Sequence, residues 1–337
     1  MKILILTNFF PYKNNPVRGI FVSKRIEQYK NFNLEFKVLG ISYKETKLLR
    51  FIKKLLKIPL LEPLEFFDSL KYEYINVKRG IISVIFHRLN NIDLMVSQSK
   101  KIADLLLFET HSLIHAHGMS LPIPAGLVAR ELSKKLNVPY LITLHGSEVN
   151  YQMKHEKVKN LYISVLEEAS KVIFVSNRLF QTAKSYGYSG KNSVIIPNGF
   201  DSDIFFPRNK DEVRQELNIF SPKTKYVGYV GGLKYVKRAD KLPEIFYQIA
   251  TKIPETKFII VGDGELRKLV EKKISKLGLN ALFTGRIPQT EVAKYMSAMD
   301  VMILPSRNEG FGTVCLEAQA CGTCVIGSSN GGIPEAI

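Results

Sequence analysis

The sequence predicts an α/β protein of two doubly wound domains, and three observations carry that prediction. Short apolar and β-branched runs alternate with stretches of helical period, the rhythm of a parallel sheet covered by helices. A glycine-bearing loop follows a strand early in each half: Arg18-Gly19 after Lys2 to Leu6, and Gly231-Gly232 after Tyr226 to Val230. At 337 residues and 45% hydrophobic content the chain is globular and long enough for two sizeable cores.

In order, the strand Lys2 to Leu6 runs into Asn8-Phe9-Phe10-Pro11, a turn-rich loop reaching Gly19. From there Ile20, Val22, Ile26 and Tyr29 recur at helical spacing. Phe36 to Ile41 is the next strand. Lys47 to Leu61 then places Leu48, Phe51, Ile52, Leu55 and Leu56 on a helical stripe, with Lys47, Arg50, Lys53, Lys54 and Lys57 around it and no acid among them. Such a helix suits the interface of an anionic bilayer; the same stripe also fits a helix packed on its own sheet, and the missing acids favour the bilayer. A strand is expected near Tyr74 to Val77 and a helix around Ser97 to Glu109. Leu113 to Ala116 is a strand whose end carries His115 and His117 on one face, without a third metal ligand at useful spacing. A loop and helix occupy Gly118 to Leu136. The strand Val138 to Leu144 ends at His145-Gly146-Ser147-Glu148, which puts His145 at a carboxyl end, where doubly wound sheets bind ligands. A strand from Ala169 to Ser176, a helix from Arg178 to Ser185 and the run 194–199 close the first domain. The boundary is expected near Pro207, giving domains 1–206 and 207–337.

The second domain opens with a helix, Asp211 to Leu217, and the strand Tyr226 to Val230, after which Gly231-Gly232-Leu233 leads to Lys237. Strands follow at Lys257 to Val261, before Gly262-Asp263-Gly264, and at Ala281 to Gly285, before Arg286-Ile287-Pro288. A basic helix reaching about Lys276 lies between them, and another helix spans Thr290 to Met299. The apolar run Val301 to Leu304, stopped by Pro305, is a buried strand. The loop to Gly312 feeds a helix from Thr313 to Ala320 that Cys321-Gly322 ends, and Thr323 to Ile326 is a further strand. A helix that starts after Glu309-Gly310-Phe311-Gly312 presents unpaired N–H groups and partial positive charge, and its glycines let an anion approach. Glu309 and Glu317 should flank that helix start. Neither suits a bare phosphate, and both suit hydroxyl groups, so a diphosphate between two hydroxyl-bearing sugars fits. A surface helix with two solvated glutamates has the same spacing.

Lys plus Arg exceeds Asp plus Glu by 48 to 31, a net charge of +17, which attracts anionic ligands, nucleic acid or an anionic membrane. The bases are spread through helices without the interleaved aromatics of single-strand binders, so nucleic acid is not an expected partner. No run approaches the ~18 apolar residues of a membrane span, and the amino-terminal run reaches Thr7 and Asn8 too soon for a signal-peptide core, so a cytoplasmic protein is expected. Cys315, Cys321 and Cys324 are odd in number and late in the chain, which fits a reducing compartment. Cys321-x-x-Cys324 lacks the second pair a zinc site needs, so buried thiols and no metal are expected.

Glu309 and Glu317, set in EGFGTVCLEAQACG, resemble the E-(x7)-E signature of the retaining nucleotide-sugar glycosyltransferases of family four, which have the GT-B fold. The resemblance extends over nearly the whole chain, through GIFVSKRIE, TLHGSEV, VIIPNGFDSDIFFP, GRIP and GGIPE. It implies two Rossmann-like domains facing a cleft, the acceptor on the first and the donor mainly on the second, and sugar transfer with retention and without a cofactor or metal. By the same resemblance Gly19 lies against the donor diphosphate, His145 orients the sugar, and Lys237 grips the diphosphate. Gly232 stands where an arginine is common, a departure that Lys234, Arg238 or backbone N–H groups would have to make good. Backbone around Ile287 would read the base, leaving UDP- and GDP-linked donors both open. Glu309 would hold the transferred sugar, Glu317 the ribose, and the segment Phe311, Gly312, Thr313 and Val314 the leaving diphosphate. The chain stops at Ile337 inside GGIPE, so the family's last strand and closing helices are expected to be missing. The activity expected is transfer to a glycan or lipid-linked glycan in cell-envelope, capsular or exopolysaccharide synthesis. The protein would sit peripherally on the inner membrane face through Lys47 to Leu61. The rivals are a sugar-nucleotide epimerase of the same fold and a non-enzymatic polyanion or membrane binder.

Overall fold

The computed structural model describes residues 1–10, 19–58, 60, 72–89, 91–107, 110–121 and 123–337. Pro11, Arg18, Leu61 and Glu109, which bound segments read from the sequence, lie outside them. The chain separates into two compact units, Met1–Ile196 and Pro197–Ile337.

The first unit is a seven-stranded parallel sheet of β1 (Lys2–Thr7), β2 (Glu35–Glu45), β3 (Tyr72–Arg79), β4 (Leu113–His117), β5 (Tyr140–Leu144), β6 (Lys171–Phe174) and β7 (Ser193–Ile195), in the order β3-β2-β1-β4-β5-β6-β7. The second is a five-stranded parallel sheet of β8 (Lys225–Val230), β9 (Thr256–Val261), β10 (Ala281–Gly285), β11 (Val301–Leu304) and β12 (Cys324–Gly327), in the order β10-β9-β8-β11-β12. Central parallel strands are covered on both faces and read as continuous apolar runs, as in β1, where every residue after Lys2 is buried. In each unit the strand order reverses beside the first strand, between β1 and β4 and between β8 and β11. Loops leaving the carboxyl ends of such a pair diverge and open a crevice.

Among the described residues, three helices of eight residues or more were not anticipated: Ile81–Arg88, Glu156–Glu168 and Leu242–Lys252. The basic helix is shorter than expected, Lys47–Leu55. It ends in a closing turn in which Ile58 N–H donates to Lys53 O at 2.8 Å and Lys57 N–H to Lys54 O at 3.2 Å, with Lys57 left-handed at φ 54°. Pro59 follows directly and disfavours helical backbone at Ile58. The expectation of buried thiols at Cys321 and Cys324 is also corrected. Cys315 and Cys321 are buried, but Cys324, on terminal strand β12 of its sheet, is exposed. Among the described residues no helix is long and apolar enough to cross a membrane.

Candidate functional sites at the two switch points

In the second unit the loops after β8 and β11 bring Lys237 and Glu309 together, 72 residues apart in sequence, with Lys237 Nζ donating to Glu309 Oε1 at 2.5 Å. Both loops are fixed by backbone. Arg307 N–H donates to Val236 O at 2.9 Å, and Gly332 N–H donates to Glu309 O at 3.0 Å. Any side chain at Gly331 or Gly332 would run into this loop, since a Cβ at either would lie 2.4 Å from a backbone oxygen, of Glu309 or Gly310 respectively. The glycine pair therefore holds the Glu309 loop in place.

Gly312, at φ 99°, turns the chain into the helix Thr313–Ala320, behind the buried ring of Phe311. The backbone N–H groups of Thr313 and Val314 have no acceptor among the described residues, as the first turn of a helix leaves them. Glu317, one turn on, has no cation or donor partner among the described residues either, and burial pushes its carboxyl up to about 7. Burial and the Glu309 charge push the Cys315 thiol up to about 12, so it is inert as a nucleophile.

Gly232 has ordinary backbone angles, and a Cβ there would meet nothing closer than 3.8 Å, so an arginine would fit where the chain has none. Arg238 is left-handed at φ 53°, with its Nε buried and without an acceptor among the described residues. Ile287 is half-buried and follows Gly285, whose carbonyl accepts from Gly262 N–H at 2.9 Å, so the turn at Ile287 is tied to the end of β9.

Gly19 and His145 belong to the first unit. Gly19, at φ 61°, caps the helix Ile20–Tyr29, and its Cβ position lies 2.4 Å from the backbone of Phe9, so only glycine fits. His145 at the end of β5 joins the two histidines of β4. His117 Nδ1 lies 3.3 Å from His145 Nε2, and the rings of His115 and His117 are 4.3 Å apart. His115 uses both nitrogens, toward Tyr29 Oη at 3.1 Å and Thr143 Oγ1 at 2.8 Å. Burial holds all three imidazoles well below the usual histidine range, and Arg25 adds to it, so each is neutral at pH 7. Phe21 packs on His145 with ring centroids 4.6 Å apart.

Sequence reasoning missed Glu148. Its buried carboxyl accepts from Gly146 N–H at 2.9 Å and Met119 N–H at 3.3 Å, tying the loop after β5 to the loop after β4. The signal available was a carboxylate two residues beyond a glycine at a strand end. His117 was noticed for its alternation, but its bond to His145 was not foreseen.

Residues 65–204 match the profile of Glycosyltransferase Family 4, and residues 209–337 match that of Glycosyl transferases group 1. A Bacillus subtilis (strain 168) glycosyltransferase named for teichuronic acid biosynthesis, TuaC, is 28% identical over 344 residues, covering 99% of this chain and 82% of its own length. The N-acetyl-alpha-D-glucosaminyl L-malate synthase of Bacillus anthracis is 28% identical over 243 residues, 71% of this chain and 62% of that protein. Among solved structures, HepE of Anabaena in complex with UDP-glucose superposes with a TM-score of 0.68 at 20% identity, over 100% of this chain and 83% of that one. Sucrose-phosphate synthase from Thermosynechococcus elongatus does so with a TM-score of 0.73 at 21% identity, over 99% and 82%. These structures share the fold.

Proposed function

Because the chain belongs to the glycosyltransferases of the family-four type, with the GT-B fold, we propose that it moves a hexosyl group from a nucleotide-sugar donor to a glycan or lipid-linked glycan, with retention of anomeric configuration. The observation that carries the donor site is the constellation at the β8/β11 switch point. There a cation, Lys237, and two carboxylates, Glu309 and Glu317, surround one helix start whose amides are open.

Each part has a role in this reading. Lys237 and the amides of Thr313 and Val314 meet the negative charge that develops on the leaving nucleoside diphosphate, in positions fixed before the reaction begins. Glu309 accepts from hydroxyls of the transferred sugar. Lys237 therefore exchanges its bond to Glu309 for one to phosphate when the donor binds. Glu317, without a partner among the described residues, accepts from the ribose hydroxyls. Gly312 and Phe311 shape the turn into the helix, and backbone at Ile287 faces the base. Gly232 leaves room at the diphosphate, and Arg238, next in sequence to Lys237, is a cation whose Nε has no acceptor among the described residues. In the first unit, Gly19 offers backbone to an anion and neutral His145 orients a substrate hydroxyl. The scheme uses no metal or cofactor, so a chelator should leave transfer intact.

HepE is described with UDP and UDP-glucose, which favours trying uridine diphosphate donors first. The relation to TuaC favours an acceptor in cell-envelope or capsular polysaccharide synthesis, reached by a cytoplasmic enzyme peripheral to the inner membrane face. The test is a thermal-shift panel of UDP, GDP and ADP with their sugar conjugates, on the protein and on Glu317→Ala. A shift with one base, lost in the variant, supports the donor site; no shift with any nucleotide overturns it. Product analysis then separates transfer from epimerisation, since an epimerase converts the donor alone.

A further inference from the structure

The helix Lys47–Leu55 turns its apolar stripe to solvent. Leu48, Phe51 and Leu55 are 60%, 65% and 73% exposed, and Leu56 beyond the helix is 60% exposed. Only Leu49 of the helix is buried. At 3.6 residues per turn, Leu48, Phe51 and Leu55 fall within an arc of roughly 60°, nearly opposite the side that Leu49 and Lys53 turn inward. Two contacts fix this orientation. Leu49 packs into the unit, and Lys53 Nζ lies 2.6 Å from Glu45 Oε1, whose side chain is fully covered on the preceding strand. Thr46 caps the helix start by accepting from Leu49 N–H, and the left-handed turn at Lys57 closes its end. Lys47, Arg50 and Lys54 flank the exposed stripe on one side and have no acidic partner among the described residues. Of the two arrangements the stripe allows, packed on the sheet or turned away from it, the apolar face takes the second and is presented outward beside a row of bases.

We infer that this helix is a membrane-docking element that lies in the interface of an anionic bilayer, inserting Leu48, Phe51 and Leu55 while Lys47, Arg50 and Lys54 meet the lipid headgroups. Charge complementarity selects the occupant. An apolar stripe alone would suit a protein partner or a second copy, but bases beside it that have no acidic partner among the described residues, with no acid in the helix, would repel a second copy and complement anionic lipid. Each base near such a surface is worth about 1 kcal/mol, and the stripe adds an insertion that salt does not screen. The inference deepens the peripheral-membrane part of the proposed function, and its test needs no sugar transfer, so the two can fail separately.

The test is sedimentation with vesicles of phosphatidylglycerol and phosphatidylcholine, comparing two variants of equal charge change. Lys47→Glu/Arg50→Glu/Lys54→Glu should lower partitioning about a hundredfold. Lys268→Glu/Lys272→Glu/Lys276→Glu, on an exposed helix face of the other unit, should leave it within a few-fold. Phe51→Ser/Leu55→Ser should bind at low salt and release at ~1 M salt, where the unaltered protein stays partly bound. Circular dichroism confirms that each variant is folded; all the altered side chains are exposed or half-buried, and Lys53 is left in place because Glu45 needs it. Equal losses in the two charge variants would mean that overall charge alone drives binding and would overturn the inference. So would sedimentation of a dimer that Phe51→Ser/Leu55→Ser dissolves.

Discussion

The carboxyl of Glu317 is the group whose chemistry is most open to measurement. Burial raises its folded-state value to about 7, above the ordinary carboxyl value it has in the unfolded chain. The folded protein therefore keeps a proton that the unfolded chain releases, and stability from this group, full below the unfolded value, is lost as pH rises toward about 7. Donor binding runs the other way, because ribose hydroxyls bond a carboxylate more strongly than a neutral acid. Affinity for UDP-glucose, whose diphosphate does not titrate in this range, should increase between pH 6 and 8 in calorimetric titrations and be flat in Glu317→Gln. A flat profile in the unaltered protein would remove Glu317 from the ribose site. The neighbouring pair gives a second outcome. Glu309→Gln frees Lys237, so UDP should bind at least as tightly, while transfer falls roughly ten- to a hundredfold with the lost charged hydrogen bond. Weaker UDP binding would mean that the pair positions the lysine rather than competing for it.

At the scale of elements, Glu148 ties the loops after β4 and β5 to each other. Replacing it with Ala leaves two backbone N–H groups buried without their acceptor, at a cost of about 1–3 kcal/mol each. Glu148→Ala should lower the melting temperature markedly and increase hydrogen exchange at residues 118–120 and 146–150; an unchanged exchange pattern would count against this role. Such a tie was not legible in the sequence, because its partners are backbone atoms brought close by the β4–β5 pairing. The pairing of Lys237 with Glu309 was hidden for the same reason: it depends on β8 lying beside β11. By contrast β11 and the helix Thr313–Ala320 could be read to the residue, since Pro305, the glycines and Cys321-Gly322 punctuate them. The helix Glu156–Glu168 was readable but missed. Its buried set Val158, Tyr162, Val165 and Leu166 has the spacing of one helical face. The orientation of Lys47–Leu55 was not readable at all, for amphipathicity gives the stripe but not which side the body of the unit takes up.

For the whole molecule, the division into Met1–Ile196 and Pro197–Ile337 has a thermodynamic consequence. Each unit buries an apolar core of its own, around β1, β4 and β5 in the first and β8, β9 and β11 in the second, so each can unfold in its own transition. Apart from Gly19, the residues proposed to hold the nucleotide, from Gly232 to Glu317, lie in the second unit. A ligand stabilises what binds it, by about 2.7 kcal/mol at a hundred times its dissociation constant. For a unit of this size that corresponds to roughly 10 °C. Calorimetry with UDP should therefore move one transition by that order and leave the other in place, and hydrogen exchange should slow at residues 231–238 and 309–317. A single transition moving as a whole would show that the units unfold together. Movement confined to the first unit would transfer the nucleotide site to the β1/β4 switch point, where Gly19 and His145 lie.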